Sequence, residues 1–266
     1  IMLYRMGDFY ELFFEDALRA VKLLNLTQTT RGSVDGVKIP MAGIPHQTLE
    51  QYLVKLVRMG ECVVICEQTS LPGDQKGPVS REVTRIVTPG TLSDEALMPA
   101  DKACLIVSIF HRKGRYGLGV VELSSGRFRL SECATHTALV DELARLDPQE
   151  CLVHESVDRQ LLSHLNARVE VRPNWTFARE HAERSLTAQC ETDGLRGFGI
   201  LNQDHAIRAA GCALQYLNHT QREALRHIRS LSFYQPSDDL HVDATTQKHL
   251  EIIQNRHGGK ENTLLS

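Results

Sequence analysis

The amino-acid sequence predicts an α/β protein with mixed β-sheets, organised as two successive domains. Its 266 residues are enough for about two domains of ordinary size. Helix-like and strand-like segments alternate in the N-terminal third, whereas the next part opens on three consecutive strand-like runs before helices and strands alternate. Between these parts, residues 89–100 contain Pro89, Gly90 and Pro99 and interrupt both patterns, which is typical of a linker.

The first domain, residues 1–88, is predicted to combine two amphipathic helices with short strands. We expect residues 1–5 to lead directly into the first helix, because apolar residues recur with a period of about 3.6 from Phe9 to Leu24. Residues 25–40 are polar and contain glycines, which predicts a turn between short strands. The remaining elements are a helix at residues 49–59 that ends at Gly60, a buried strand at 62–66, a Pro/Gly-rich loop at 71–78 and a strand at 82–88.

The second domain, residues 101–225, is predicted to hold a mixed sheet with helices around it. Its elements are strands at residues 105–110, 116–123 and 126–131, a helix at 137–146, strands at 150–154 and near Val169, and a helix at 206–219. Trp175 is expected in its core. The pattern changes again in residues 226–266, where a short strand at 240–242 and a helix start at 245–254 indicate the beginning of another domain.

Composition excludes several classes of protein. No apolar run reaches the roughly 18 residues of a membrane helix, and no secretory signal is visible. Seven cysteines without a Cys-x-x-Cys pair indicate reduced thiols and a cytoplasmic location. The 12 histidines show no metal-ligand spacing, so no metal site is predicted. Residues 1–88 hold ten Lys/Arg and ten Asp/Glu, so charge alone does not indicate a DNA-coating protein.

Several motifs carry a resemblance to a known family. They include Tyr-Arg-Met-Gly-Asp-Phe-Tyr-Glu-Leu-Phe at residues 4–13, Ile-Pro-Met-Ala-Gly-Ile-Pro at 39–45, Ile-Cys-Glu-Gln at 65–68, Arg-Ile-Val-Thr-Pro-Gly-Thr at 85–91, and shorter matches at 124–128 and 243–246. With this spacing the chain resembles the bacterial MutS family of DNA mismatch-repair proteins. One departure is His46-Gln47, where the family pattern has an aromatic residue and a histidine. Because Ile1 is not an initiator and Ser266 follows an apolar-periodic stretch, we expect an N-terminal fragment of a longer protein.

The resemblance implies a domain plan and a set of partners. Residues 1–88 form a mismatch-recognition domain, 89–100 a linker, 101–225 a connector domain with a three-layer α/β fold similar to ribonuclease H, and 226–266 the start of a helical core or lever domain. The parent protein is implied to be a DNA-dependent ATPase using ATP and magnesium, a homodimer that binds double-stranded DNA with mismatches or small loops and recruits MutL. The phosphate-binding motif Gly-x-x-x-x-Gly-Lys-Ser/Thr is absent from the sequence, so we expect no catalysis and no cofactor in this fragment.

Four residues are candidates for contacting DNA. The resemblance implies that Phe9 is an aromatic wedge inserted between base steps and that Glu11 contacts the displaced base. The alternatives are a core phenylalanine sharing a helical face with Phe13, and a glutamate closing a capping box with Asp8. Arg31 and Arg81 are candidates for pairing with phosphates, against the alternative of ordinary solvated arginines.

Two rival functions stay open at this point. The first is a ribonuclease H-like, metal-dependent nuclease, for which converging carboxylates would be the mark. The available carboxylates are interpreted as a solvated face around one helix: Asp141, Glu142, Asp147, Glu150 and Glu155. The second rival is a partner-binding fragment without DNA function. Gly7 and Gly43 are expected to permit unusual backbone geometry rather than to carry chemistry.

Overall fold

The computed structural model describes residues 1–69, 79–91, 104–221 and 225–236, with a few positions between 246 and 263. Two compact units are present. Unit 1 comprises residues 1–104, 123–126 and 216–227, and unit 2 comprises residues 105–122, 127–215 and 228–266. The predicted loop at 71–78, most of the linker at 89–100, the strand at 240–242 and most of the helix at 245–254 lie outside the described residues.

Unit 1 is built on one six-stranded mixed sheet. Its elements are β1 (Met2–Met6), β2 (Phe9–Phe13), α1 (Phe14–Leu24), β3 (Thr29–Val34), β4 (Val37–Pro45), α2 (Leu49–Arg58), β5 (Val63–Gln68) and β6 (Arg81–Val87). The strand order is β3-β4-β2-β1-β5-β6, and only the β1–β5 pair is parallel. The predicted mixed α/β fold, the strands on either side of the turn in residues 25–40 and the helix near residues 49–59 are confirmed.

The predicted helix from Phe9 is wrong in its first five residues, and residues 1–5 do not lead into a helix, because residues 2–6 form strand β1. β2 pairs on both sides, with Tyr10 opposite Arg5 in β1 and opposite Ile44 in β4. Its side chains alternate, since Tyr10 and Leu12 are 3% and 0% exposed. The helix begins only at Phe14, whose φ of 55° turns the chain out of the sheet.

Both helices of unit 1 contribute to one apolar core with the sheet. The core contains the inward residues of β2, the small residues of α1 and the apolar residues of α2: Tyr10, Leu12, Ala17, Ala20, Leu49, Leu53, Val54, Leu56 and Val57. Every second residue of β2 therefore faces this core, because side chains alternate along a strand. The residues between them belong to the opposite face of the sheet.

Unit 2 contains a second six-stranded mixed sheet. Its elements are β7 (Leu105–Arg112), β8 (Arg115–Glu122), β9 (Arg127–Cys133), α3 (His136–Leu146), β10 (Glu150–His154), β11 (Arg168–Arg172), α4 (Arg179–Gln189), the first twelve residues of α5 (Asp204–Thr220) and β12 (Leu231–Phe233). The order is β11-β10-β7-β8-β9-β12. The three consecutive strands β7 to β9 are antiparallel, and β10, β11 and β12 add in parallel at the two edges. This confirms the predicted meander followed by alternating helices and strands.

Helices cover both faces of this sheet. On one face, Leu118 and Val120 of β8 pack in a core with Leu139 and Leu143 of α3. On the other face α5 lies directly on the backbone of β8, since a Cβ built on Gly117 would sit 2.0 Å from the carbonyl carbon of His205. The predicted three-layer arrangement is therefore confirmed. Among the described residues, no helix is long and apolar enough to cross a membrane.

The close approach of α5 to β8 gives a stability prediction. We expect Gly117→Ala to lower the free energy of unfolding by at least about 2 kcal/mol, because the new methyl group meets backbone atoms that cannot move aside. Gly197→Ala is the matched control, since its Cβ would meet nothing within 4 Å. Urea unfolding of both variants tests this, and equal midpoints for the two would contradict the close packing.

The expectation that Trp175 lies in the core of the second domain is wrong. Its side chain is 63% exposed. It lies in a short 3-10 turn, Asn174–Phe177, in which Thr176 and Phe177 are the buried residues. These two residues fill the inward positions of the turn, and the indole is consequently left at the surface of unit 2.

Candidate nucleic-acid interface

Phe9 and Glu11 lie side by side on the face of the unit 1 sheet that turns away from its core. They are two residues apart on β2, so the strand's alternation gives them the same side. Phe9 is 47% exposed, whereas Tyr10 between them is buried. The alternative of a core phenylalanine at position 9 is therefore wrong, and its premise, a helical face shared with Phe13, is absent.

The neighbours of Phe9 in the sheet are a methionine, a proline and a glycine. Met6 is its partner in β1 and Pro45 its partner in β4. Gly43 lies opposite Glu11, and a Cβ built there would be 3.5 Å from Cδ1 of Phe9. The ring consequently rests over a position without a side chain. Gly43 has no positive φ, so the unusual backbone expected there is absent, whereas Gly7 does have a φ of 59°.

Glu11 forms an ion pair with Arg31 of β3. The Glu11 side chain is 16% exposed and that of Arg31 is 56% exposed. The β3–β4 register shifts between Thr30 and Ser33, next to Arg31. Because the pair is largely solvated on the arginine side, it contributes at most about 1 kcal/mol and can exchange partners readily. The capping-box alternative for Glu11 is wrong, since α1 begins at Phe14, six residues beyond Asp8, and its N-cap is Phe13.

Arg81 is fixed on the same face by three contacts. Its Nε and Nη1 donate to the carbonyl oxygens of Arg5 and Val79 at 3.2 and 3.0 Å, and its Nη2 lies 2.8 Å from Sδ of Met6. Met6 in turn is the β1 partner of Phe9. The guanidinium is thus held near the wedge candidate, and the alternative of an ordinary, freely solvated arginine does not describe it.

A partly buried side-chain hydrogen bond links β2 to β5. The Tyr10 hydroxyl donates to the carboxylate of Glu67 in β5, and the Arg5 guanidinium lies 5.3 Å from the Tyr10 ring centroid. Burial, together with the Glu67 carboxylate, raises the pKa of Tyr10 to about 12, so the hydroxyl stays protonated and keeps donating at neutral pH. The prediction of a helix at residues 9–13 did not indicate this hydrogen bond between Tyr10 and Glu67. A period of two over residues 9–13 would have placed Tyr10 on the inward face of a strand, although it would not have identified Glu67 as its partner.

The described carboxylates of unit 2 do not converge on a metal site. Glu142 is 3% exposed and accepts hydrogen bonds from Arg145 at 2.6 Å and from the hydroxyl of Tyr234 at 2.5 Å. Glu150 is fully buried and paired with Arg168. The interpretation of these carboxylates as a solvated face is therefore wrong for Glu142 and Glu150. In the described part of the chain, no group of three or more metal-ligand side chains occurs.

Comparison of the sequence with models of protein families identifies the family to which the chain belongs. Residues 1–96 match the model of MutS domain I, and residues 104–229 match that of MutS domain II. The chain belongs to the MutS family. The resemblance inferred from the sequence motifs is thereby confirmed, and the two MutS domains place the chain among the proteins that recognise DNA for mismatch repair. The exposed face with Phe9 and Glu11 lies within the MutS domain I match.

Proposed function

We propose that this MutS domain I reads mismatched DNA by inserting Phe9 between base steps, with Glu11 contacting the mispaired base. The observation that carries the proposal is the alternation of β2. Tyr10 and Leu12 fix the strand in the core, so that Phe9 and Glu11 stand together on the opposite face. A rigid strand holds both side chains more precisely than a loop can.

The physical basis of discrimination is the stacking of the duplex itself. Separating two base steps costs a few kcal/mol, and less where a mismatch has already weakened stacking. An aromatic wedge entering from the minor groove therefore meets less resistance at a mispair. Because it tests deformability rather than sequence, one site serves many mismatches and small loops.

The charged residues have separate roles in this proposal. Without DNA, Arg31 neutralises Glu11. On binding, Arg31 turns to a backbone phosphate, which positions the protein, and Glu11 is released toward the base. Arg81, held beside Met6, adds positive potential near the wedge. The weakness of a solvated ion pair makes this exchange feasible.

Replacement of Arg31 tests this division of roles. We expect Arg31→Ala to weaken binding to mismatched and matched duplexes by a similar factor and to reduce the salt slope of binding by about 1, because one phosphate contact is lost. Fluorescence anisotropy over a salt series measures both quantities. Lys22→Ala, at an exposed position of α1, is the control for charge alone. A loss confined to mismatched duplexes would contradict a phosphate role.

We also propose that the chain is part of a larger, cytoplasmic, DNA-dependent ATPase that uses ATP and magnesium, works as a homodimer and recruits MutL. Family membership supports this proposal.

The test compares binding of the full-length protein and of this chain to mismatched and matched duplexes, with and without magnesium. Preference for the mismatched duplex without magnesium supports recognition. Magnesium-dependent strand cleavage by this chain would instead support the nuclease rival, and equal, negligible binding to both duplexes would support a partner-binding fragment.

A further inference from the structure

Unit 2 contains a cavity of about 780 Å³ that the mismatch site does not use. It lies where the end of β7 meets the segment after β10, the Trp175 turn and α5. The volume is within the range of about 300–1,000 Å³ that small-molecule sites occupy. All its walls belong to unit 2, so any ligand here is recognised independently of Phe9 and Glu11.

One wall of the cavity is aromatic. Trp175 is 63% exposed at this wall, and behind it Phe110 and Phe177 are buried with ring centroids 5.6 Å apart. An indole at the surface of a cavity offers a flat face for stacking. Such a face binds any nucleobase, because every base has a π-face, and the stack is worth roughly tenfold to a hundredfold in affinity.

The hairpin between β7 and β8 supplies positive charge. Lys113 and Gly114 both have positive φ, 52° and 74°, which is the signature of a tight two-residue turn between strands. This rigid turn carries the Arg112 and Lys113 side chains to the rim of the cavity. Neither side chain forms an ion pair with a carboxylate of the described residues.

The third cation of the cavity, Arg208, is already neutralised. Its Nε donates to Asp204 at 2.8 Å, and its guanidinium carbon lies 5.5 Å from the Phe110 ring centroid. Burial raises the pKa of Asp204, but the guanidinium groups of Arg208 and Arg179 outweigh it, so the pKa is lowered overall and the carboxylate stays ionised. Arg208 is therefore structural, and the net charge offered to a ligand comes from Arg112 and Lys113.

The buried His154 orients the side chain of Asn174, a neutral hydrogen-bond donor, at the opening of the cavity. His154 is 8% exposed, and its Nδ1 lies 2.7 Å from Oγ of Ser156 and accepts the backbone N–H of the same residue at 3.3 Å. In the tautomer that carries the proton on Nε2, this nitrogen donates to Oδ1 of Asn174 at 2.9 Å. Since the amide oxygen is occupied, the exposed Asn174 presents its NH2 group, which can donate to the ring nitrogen or carbonyl acceptors that all bases possess.

We propose that this cavity of MutS domain II binds a nucleoside phosphate, with the base stacked on Trp175, a base-edge acceptor on Asn174 and the phosphate on Arg112 and Lys113. The ligand is either a free nucleotide or one nucleotide of a single strand, because both present the same chemistry. His154 acts as a positioning residue for Asn174.

The experiment uses the fact that Trp175 is the only tryptophan of the chain. Its fluorescence is followed while the 266-residue protein is titrated with dAMP, dTMP, inorganic phosphate and an oligo(dT) strand. We expect saturable quenching by both nucleotides and none by inorganic phosphate alone. Arg112→Ala and Lys113→Ala should each weaken binding by about tenfold, since each removes a charge-assisted contact. Arg196→Ala, exposed elsewhere in unit 2, should leave it unchanged.

Further arms separate the sources and the rival explanations. Quenching by oligo(dT) that dTMP displaces identifies a single strand as a source, and quenching by nucleotides alone identifies free nucleotides. Calorimetry of Trp175→Ala should show at least about tenfold weaker nucleotide binding with an unchanged melting temperature. The proposal is overturned if neither nucleotide binds, if an oligo-glutamate peptide displaces dTMP, or if Phe9→Ala abolishes the quenching, since that would move the signal to unit 1.

Discussion

Phe9→Ala is expected to remove the preference for mismatched over matched duplexes while changing the free energy of unfolding by less than about 1 kcal/mol. The ring is nearly half exposed on the outer face of β2, so truncation leaves no cavity. A core phenylalanine truncated to alanine would instead cost about 3–5 kcal/mol. Without the wedge, the protein no longer has to separate base steps. The lower cost of unstacking at a mismatch then gives no advantage in binding, and the two duplexes bind alike.

The measurement pairs two readouts on the same variant. Affinities for one mismatched and one matched duplex are determined at a single salt concentration, and thermal unfolding is recorded in parallel. Phe14→Ala is the matched control, because Phe14 is 56% exposed and lies five residues along the same chain segment. It should keep the preference. A large fall in melting temperature for Phe9→Ala with the preference retained would favour a structural role and contradict the wedge.

The sequence allowed prediction of those elements in which one local pattern dominates. The helix α2 and its end at Gly60 follow from a clear apolar stripe and from a glycine that adopts φ 82°. The meander β7 to β9 follows from three apolar runs separated by turns. Here local preference and tertiary packing agree, so the pattern alone was sufficient.

The error at residues 9–13 has a definite physical cause. Phe9, Leu12 and Phe13 fit a helical stripe, whereas Tyr10 and Leu12 fit the inward side of a strand. Five residues are too few for periodicity to decide between the two. The decision comes from backbone hydrogen bonds to β1 and β4, and the partners in β4 lie about 28 to 36 residues away in sequence. A local reading contains no information on such pairing.

Candidate residues for DNA contact can be named from the sequence, but their spatial arrangement cannot. The family resemblance implied Phe9 and Glu11, and Arg31 and Arg81 were candidates for pairing with phosphates, yet nothing local indicates that Arg31 pairs with Glu11. That contact depends on the register of β3 on β4 and on the shift beside Arg31. Trp175 shows the same limit, since its exposure depends on which neighbours fill the inward positions of a short turn.

Glu11→Gln is expected to bind both duplexes at least as tightly as the unsubstituted protein, yet to distinguish them less. The substitution removes a negative charge that approaches phosphates, and it releases Arg31 from its ion pair, so Arg31 is available to the backbone in both complexes. Discrimination falls because an ionised carboxylate is penalised strongly when a paired, stacked base offers it no donor, whereas a neutral amide is penalised less.

The effect of Glu11→Gln depends on which atom of the mispaired base Glu11 contacts. A purine N7 only accepts hydrogen bonds, and an ionised carboxylate also only accepts, so a contact between them requires a proton on Glu11. A thymine N3–H can donate to the ionised form directly. Glutamine offers both a donor and an acceptor. It therefore satisfies either partner without taking up a proton, and binding of the glutamine variant to a purine mispair should vary less with pH.

Three further variants make the result decisive. Glu11→Ala removes the base contact altogether, and Glu82→Gln, at an exposed position of β6 in the same sheet, controls for the loss of one negative charge. The double substitution Glu11→Ala/Arg31→Ala isolates the coupling of the ion pair from each residue's contact with DNA. If Glu11→Gln and Glu11→Ala both leave the mismatched-to-matched ratio unchanged, Glu11 serves only to hold Arg31, and the base contact is excluded.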